Sequence, residues 1–119
     1  MDVDAVISLS APATCNPMTH GAQQKLLTQG FIESLSSRTD QMLHVGRAFL
    51  QDQLDDPESH DLLPLVETID SRILVIHGEI DPTVSVESAV AISAAGQAAT
   101  LVRILNGDHV YNTPNPFPI

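Results

Sequence analysis

The sequence predicts an α/β protein: a small parallel sheet of about three strands with helices packed on it. Three observations predict it. Apolar, β-rich runs occur at 4–11 (DAVISLSA), 72–77 (RILVIH) and 100–105 (TLVRIL). A helical pattern fills 85–95, between the second and third runs, so 72–109 reads as a βαβ unit with parallel strands and a right-handed crossover. Ile73, Leu74, Val75 and Ile76 are apolar in succession, the pattern of a strand covered on both faces.

Run 4–11 stops at Pro12 and is expected to be a mostly buried strand. Residues 13–21 are turn-like, with Asn16, Pro17 and Gly21 as breakers. A helix weakened by Gly30 is expected over 22–35. A better one spans about 40–54, capped by Thr39 or Asp40, with Met42, Val45 and Phe49 at helical spacing and Asp55-Asp56-Pro57 ending it. A short helix over 61–69 carries Pro64 in its first turn. Segment 16–70 is therefore expected to be a helical insertion between two strands. After the strand at 72–77, Ser85 caps the next helix, Glu87 suits its N-terminus and Gly96 is expected to end it in a left-handed turn. Beyond His109, prolines 114, 116 and 118 keep the tail a loop.

At 119 residues the chain has room for one domain with one modest core. Its net charge of −10, from five Lys and Arg against fifteen Asp and Glu, repels phosphate backbones and anionic membrane surfaces. One Tyr, three Phe and no Trp give no stacking platform for bases. Neither nucleic acid nor membrane is expected as a partner. No run approaches the roughly 18 apolar residues of a membrane span, and Met1-Asp2-Val3-Asp4 lacks a signal peptide's basic region. Cys15 stands alone, without a disulfide framework. A cytoplasmic location is the default expectation.

The chemistry sits in two short stretches, His77-Gly78-Glu79-Ile80-Asp81-Pro82 and Asn106-Gly107-Asp108-His109. Ligands of open parallel sheets bind beyond the carboxyl ends of the strands, and Asp81 and His109 both emerge at that edge. There a carboxylate accepts a hydrogen bond from an imidazole, fixes its tautomer and stabilises the imidazolium. The plainer reading makes Asp81-Pro82 a turn initiator and Asp108-His109 a polar turn. His77, Glu79 and Asp81 alternate and, with His109, offer a metal-ligand set if the segment is extended; Gly78 and Pro82 favour a turn instead. No metal or other cofactor is expected. His20, His44 and His60 are read as solvated or satisfied histidines. The cluster of Asp52, Asp55, Asp56 and Glu58 is read as a solvated helix end, lacking the glycine and spacing of a calcium loop.

LVIHGEIDPTV, a helix, and then LVRILNGDHVYNTPNPF resemble the C-terminal part of an α/β-hydrolase, in its esterase, dienelactone-hydrolase and acyl-peptidase-like branches. The resemblance implies a partial α/β-hydrolase fold with 16–70 where the family inserts its cap, and DAVISLSAPA as the strand after the nucleophile-bearing helix. It implies Asp81 as triad acid, from H-G-x-x-D, and His109 as triad base, from G-x-H. No cofactor follows from it. No G-x-S-x-G occurs in the 119 residues, so the nucleophile elbow and the first oxyanion-hole loop are expected upstream of Met1, and the chain alone is expected to be inactive. Ser8, Ser10 and Cys15 lie on or just beyond the first strand, but none sits on a strand-to-helix turn of the elbow type; Cys15 reads as an inert or pocket-lining thiol. The implied function is the acid–base part of a serine hydrolase cleaving a small-molecule ester or amide. The alternatives are one chain of a split enzyme, with a complementing N-terminal half, and a non-catalytic binding or assembly module, as a homodimer.

Overall fold

The computed structural model describes residues 3–14, 18–36 and 38–114. They fall into two compact units, 3–14 with 61–114, and 18–36 with 38–60.

The first unit contains β1 (Ala5–Leu9), α1 (Leu62–Glu67), β2 (Arg72–Gly78), α2 (Val86–Ala95) and β3 (Ala99–Ile104). Its three strands form a parallel sheet in the order β1-β2-β3, with Val6 opposite Ile73 and Val75 opposite Leu101. This is the expected α/β architecture. Helices α1 and α2 lie against each other, and Val66, Ile73, Val75, Ala89 and Ile92 form the buried core with Ala13. Burying such side chains stabilises by about 1.5–3 kcal/mol each.

Among the described residues of this unit, the helices cover one face of the sheet. Ile7 and Leu9 of β1 are 63% and 58% exposed, which corrects the expectation of a mostly buried first strand. The cause is the period of two: alternate residues face opposite sides, and β1 puts Val6 and Ser8 on the covered one. An open groove of about 610 Å³ lies at the amino-terminal ends of the strands, with Ile7, Leu74 and Thr100 in its lining.

Gly96 does not end α2 in a left-handed turn. Its φ is −75°, and glycine is needed there for space: a Cβ would come 2.8 Å from the Ala99 Cβ and 3.3 Å from Ile73 Cδ1.

The second unit corrects the helical insertion. It holds a helix, His20–Gln29, a strand pair, Phe31–Leu35 with Met42–Gly46, and a second helix, Arg47–Asp55. The strands are antiparallel, with Ile32 opposite Val45. Gly30 stops the first helix in the left-handed conformation, φ 85°, and its N–H caps the Leu26 carbonyl. The chain therefore leaves the helix at Phe31 instead of continuing to residue 35. Asp40, expected as a helix cap, sits with φ 52° in the hairpin turn, where the Ser36 N–H donates to the Gln41 carbonyl at 2.9 Å. The second helix begins only at Arg47, whose N–H and guanidinium bond the Gly30 and Leu27 carbonyls at the end of the first.

Candidate active site

Strand β2 ends at Gly78, and a turn brings the Asp81 N–H back to the Gly78 carbonyl at 3.4 Å. The Asp81 side chain is fully buried. Its Oδ1 accepts the backbone N–H groups of Thr83 and Val84 at 2.8 and 2.9 Å, the Asx-turn that an Asp before proline favours. Its Oδ2 is left for the imidazole of His109, whose Nδ1 lies 2.8 Å away. One oxygen thus shapes the loop and the other meets the histidine.

A second imidazole reaches the same oxygen. His77 is fully buried at the end of β2, with Nε2 2.8 Å from the Val84 carbonyl and 3.3 Å from Asp81 Oδ2. A carbonyl only accepts, so Nε2 carries a proton there; Nδ1 is buried without a partner among the described residues.

Burial alone raises the Asp81 carboxyl, but the Val84 N–H, the His109 imidazole and the Thr83 N–H outweigh it together. The carboxyl is held below the ordinary carboxylate value of 3.8. Asp81 is therefore an anion at neutral pH. It orients Nδ1–H of His109 toward itself and leaves Nε2 as the basic nitrogen of a ring whose side chain is 39% exposed. A buried carboxylate behind a half-exposed imidazole can hold a general base in one tautomer and stabilise it once protonated.

His109 arrives on a turn locked to the end of β2. Glu79 N–H donates to the Ile104 carbonyl and Ile80 N–H to the Gly107 carbonyl, each at 3.0 Å. The fit leaves no room at Gly78, where a Cβ would lie 2.2 Å from the Asp108 carbonyl oxygen and 2.3 Å from that of Gly107. Beyond, Asp108 Oδ1 accepts the N–H groups of Val110 and Asn112 at 2.9 Å, closing the loop around His109.

The structure thus brings Asp81 and His109 together. It does not gather the weighed metal set: Glu79 turns to Arg103, 3.3 Å away, and no cluster of three metal-ligating side chains forms among the described residues. Ser10 meets the backbone carbonyl of His109 rather than its ring. Ser8 lies within β1, and Cys15 lies outside the described residues. His20 and His44 are exposed and His60 half-buried; His44 stacks on Phe31 at 4.7 Å. Sequence reasoning missed the parts played by His77, Ser10, Asp108 and Tyr111. For His77 a signal existed, a polar residue inside an otherwise apolar strand.

Solved structures give the wider frame. The esterase domain of a Rhodothermus marinus protein superposes with a TM-score of 0.58 at 19% identity, covering 92% of this chain and 44% of its own. Est1E from Butyrivibrio proteoclasticus gives 0.65 at 21%, covering 92% and 44%. A monoacylglycerol lipase from Paleococcus ferrophilus gives 0.64 at 13%, covering 90% and 51%. The chain spans about half the length of these proteins. No protein-family profile matches it. No curated protein sequence does either. No helix among the described residues is long and apolar enough to cross a membrane.

Proposed function

We propose that this chain, which carries part of an α/β-hydrolase fold, supplies the acid and base of a serine hydrolase acting on ester or amide bonds. Asp81 is the acid and His109 the base. In this reading the nucleophile and the oxyanion donors are supplied from outside these 119 residues, by the upstream part of the hydrolase or, alternatively, by a complementing N-terminal half. The 2.8 Å contact from His109 Nδ1 to Asp81 Oδ2 is the observation that carries the reading. In the completed site, His109 Nε2 takes the proton of the attacking serine hydroxyl as its oxygen bonds the acyl carbon. It then gives that proton to the leaving alkoxide or amine, while Asp81 stabilises the imidazolium. The same two steps, with water in place of serine, release the acid product. No cofactor enters this scheme.

The bare sheet face favours a second reading, an assembly module that covers Ile7 and Leu9 with a second copy or another polypeptide. Both readings need a covering partner and differ in whether His109 matters.

The test is to sequence upstream of the Met1 codon and co-produce whatever polypeptide is encoded there with this chain. Hydrolysis of p-nitrophenyl acetate is then assayed for each alone and for both together. Activity only in combination is expected, falling about 10³-fold or more with His109→Ala. A His109-dependent rate from the isolated chain overturns the claim of a separate nucleophile. A soluble dimer indifferent to His109→Ala, with no activity in combination, replaces this reading with the assembly module.

A further inference from the structure

His109 is held on its backbone side by a residue far away in sequence. Ser10, the first residue beyond β1, has φ 48°, in the left-handed region that serine rarely enters. Its N–H donates to the Ile76 carbonyl at 3.0 Å, extending the β1–β2 pairing past the end of the strand. Its hydroxyl lies 3.0 Å from the His109 carbonyl and 2.9 Å from the Tyr111 hydroxyl. Tyr111 is also left-handed, φ 67°, and its hydroxyl lies 3.4 Å from that same Ile76 carbonyl. Asn106, at the start of the turn, has φ 56°. Strained backbone of this kind persists where surrounding contacts over-determine it, and it gathers at functional sites.

We propose that Ser10 is a positioning residue for His109. Its hydroxyl, backed by the Tyr111 phenol, fixes the His109 carbonyl so that the ring keeps Nδ1 on Asp81. This rests on the acid–base reading of the pair above. The need is physical: with its side chain 39% exposed, His109 is open to water competing for Nδ1–H, whereas the Asp81 carboxylate it must meet is fully buried and held by the Thr83 and Val84 N–H groups. Fixing the backbone from which the ring hangs limits the orientations that the ring samples, so the bond to Asp81 costs less to keep. The clamp touches no reacting atom. It acts through the main chain.

Imidazole tautomers read this directly. In long-range ¹H–¹⁵N spectra of the labelled 119-residue chain, with the rings neutral, His109 is expected as the Nδ1–H tautomer and His77 as Nε2–H. Ser10→Gly accepts the left-handed φ without strain but lacks the hydroxyl. In that variant His109 is expected to lose its single-tautomer signature and move to the mixture of a free imidazole, with His77 unchanged. Tyr111→Phe, which keeps the Ser10 hydroxyl, is expected to shift His109 less. If Ser10→Gly leaves His109 wholly in the Nδ1–H form, the clamp is overturned and the Asp81–His109 pair stands. If His77 shifts as well, the variant has loosened the end of β2 generally, and the clamp is again overturned. A free-imidazole mixture at His109 in the unaltered chain overturns the pair itself, and the clamp with it.

Discussion

Alternate residues of the same sheet meet opposite surroundings. On one face Ile73, Val75 and His77 of β2 are 3%, 1% and 0% exposed, and their row leads straight to the buried carboxylate of Asp81. On the other, Ile7 and Leu9 of β1 stand open, and Val102 of β3, across Ile76 of β2 from Leu9, is 39% exposed. The covered face is finished within the chain: helices cover it, and His77 at its end bonds the loop that carries Asp81. On the other face Ile7 and Leu9 are left exposed. The contacts that hold Asp81 come from His77, His109 and its own turn, and none of them involves Ile7 or Leu9.

The sharpest way to break the covered side is Gly78→Ala. The added methyl would overlap the carbonyl oxygens of both Gly107 and Asp108, which are backbone atoms and cannot rotate away. Overpacking of buried positions costs about 1–3 kcal/mol and sometimes more, and with no side chain to yield, a loss of about 3 kcal/mol or more is expected in urea unfolding. The turn carrying His109 must shift with it. A variant as stable as the original chain would show that the two turns are not interlocked.

Asp81→Asn probes the same region through charge. The amide keeps the shape and one acceptor for the Thr83 and Val84 N–H groups, but it presents no anion to His109. Hydrogen bonds to charged groups contribute about 1.5–3 kcal/mol, so a loss of about 2 kcal/mol is expected at neutral pH. The pH dependence carries a definite sign. The folded-state carboxyl lies below its ordinary value of 3.8, so its stabilisation is fully present above that value and is lost as pH falls through the lower folded one. The stability difference between the chain and Asp81→Asn thus narrows below about pH 4. A difference that does not narrow in acid would mean that Asp81 is not held as an anion by its neighbours.

How much of this was legible in the sequence follows the same division. Strand β2, helix α2 and strand β3 were legible because a parallel crossover joins uninterrupted apolar runs with short turns, and Asp81 and His109 followed from lying just past those runs. The hairpin of the second unit was not. Met42, Val45 and Phe49 fall at helical spacing by coincidence, since Met42 and Val45 lie in a strand paired with Leu35 and Ile32 across the hairpin. The six polar residues at 36–41 were the available turn signal. Gly30, expected only to weaken a helix, ends it in the left-handed conformation expected of Gly96, which instead leaves space. Whether a glycine supplies a positive φ or merely space depends on what packs beside it, and only the fold decides that. The Ser10 contact to the His109 turn, 99 residues apart, has no local signature at all.

The smallest effect is expected on the bare face, and it sharpens the comparison most. Ile7→Thr combined with Leu9→Gln removes two apolar side chains from β1 while keeping a β-branched residue at the first position. If the face is open in the isolated chain, each change should move unfolding stability by no more than about 0.5 kcal/mol, as exposed substitutions do. The consequence should appear instead in association. Sedimentation of the double variant should show less self-association than the original chain, and co-production with an N-terminal half should yield less complex. Two copies of a chain with net charge −10 repel each other, so the loss should be greater for the complementing half than for a homodimer. A stability loss comparable with that of Gly78→Ala would mean that Ile7 and Leu9 already lie within the chain's own core, and the two faces would no longer differ.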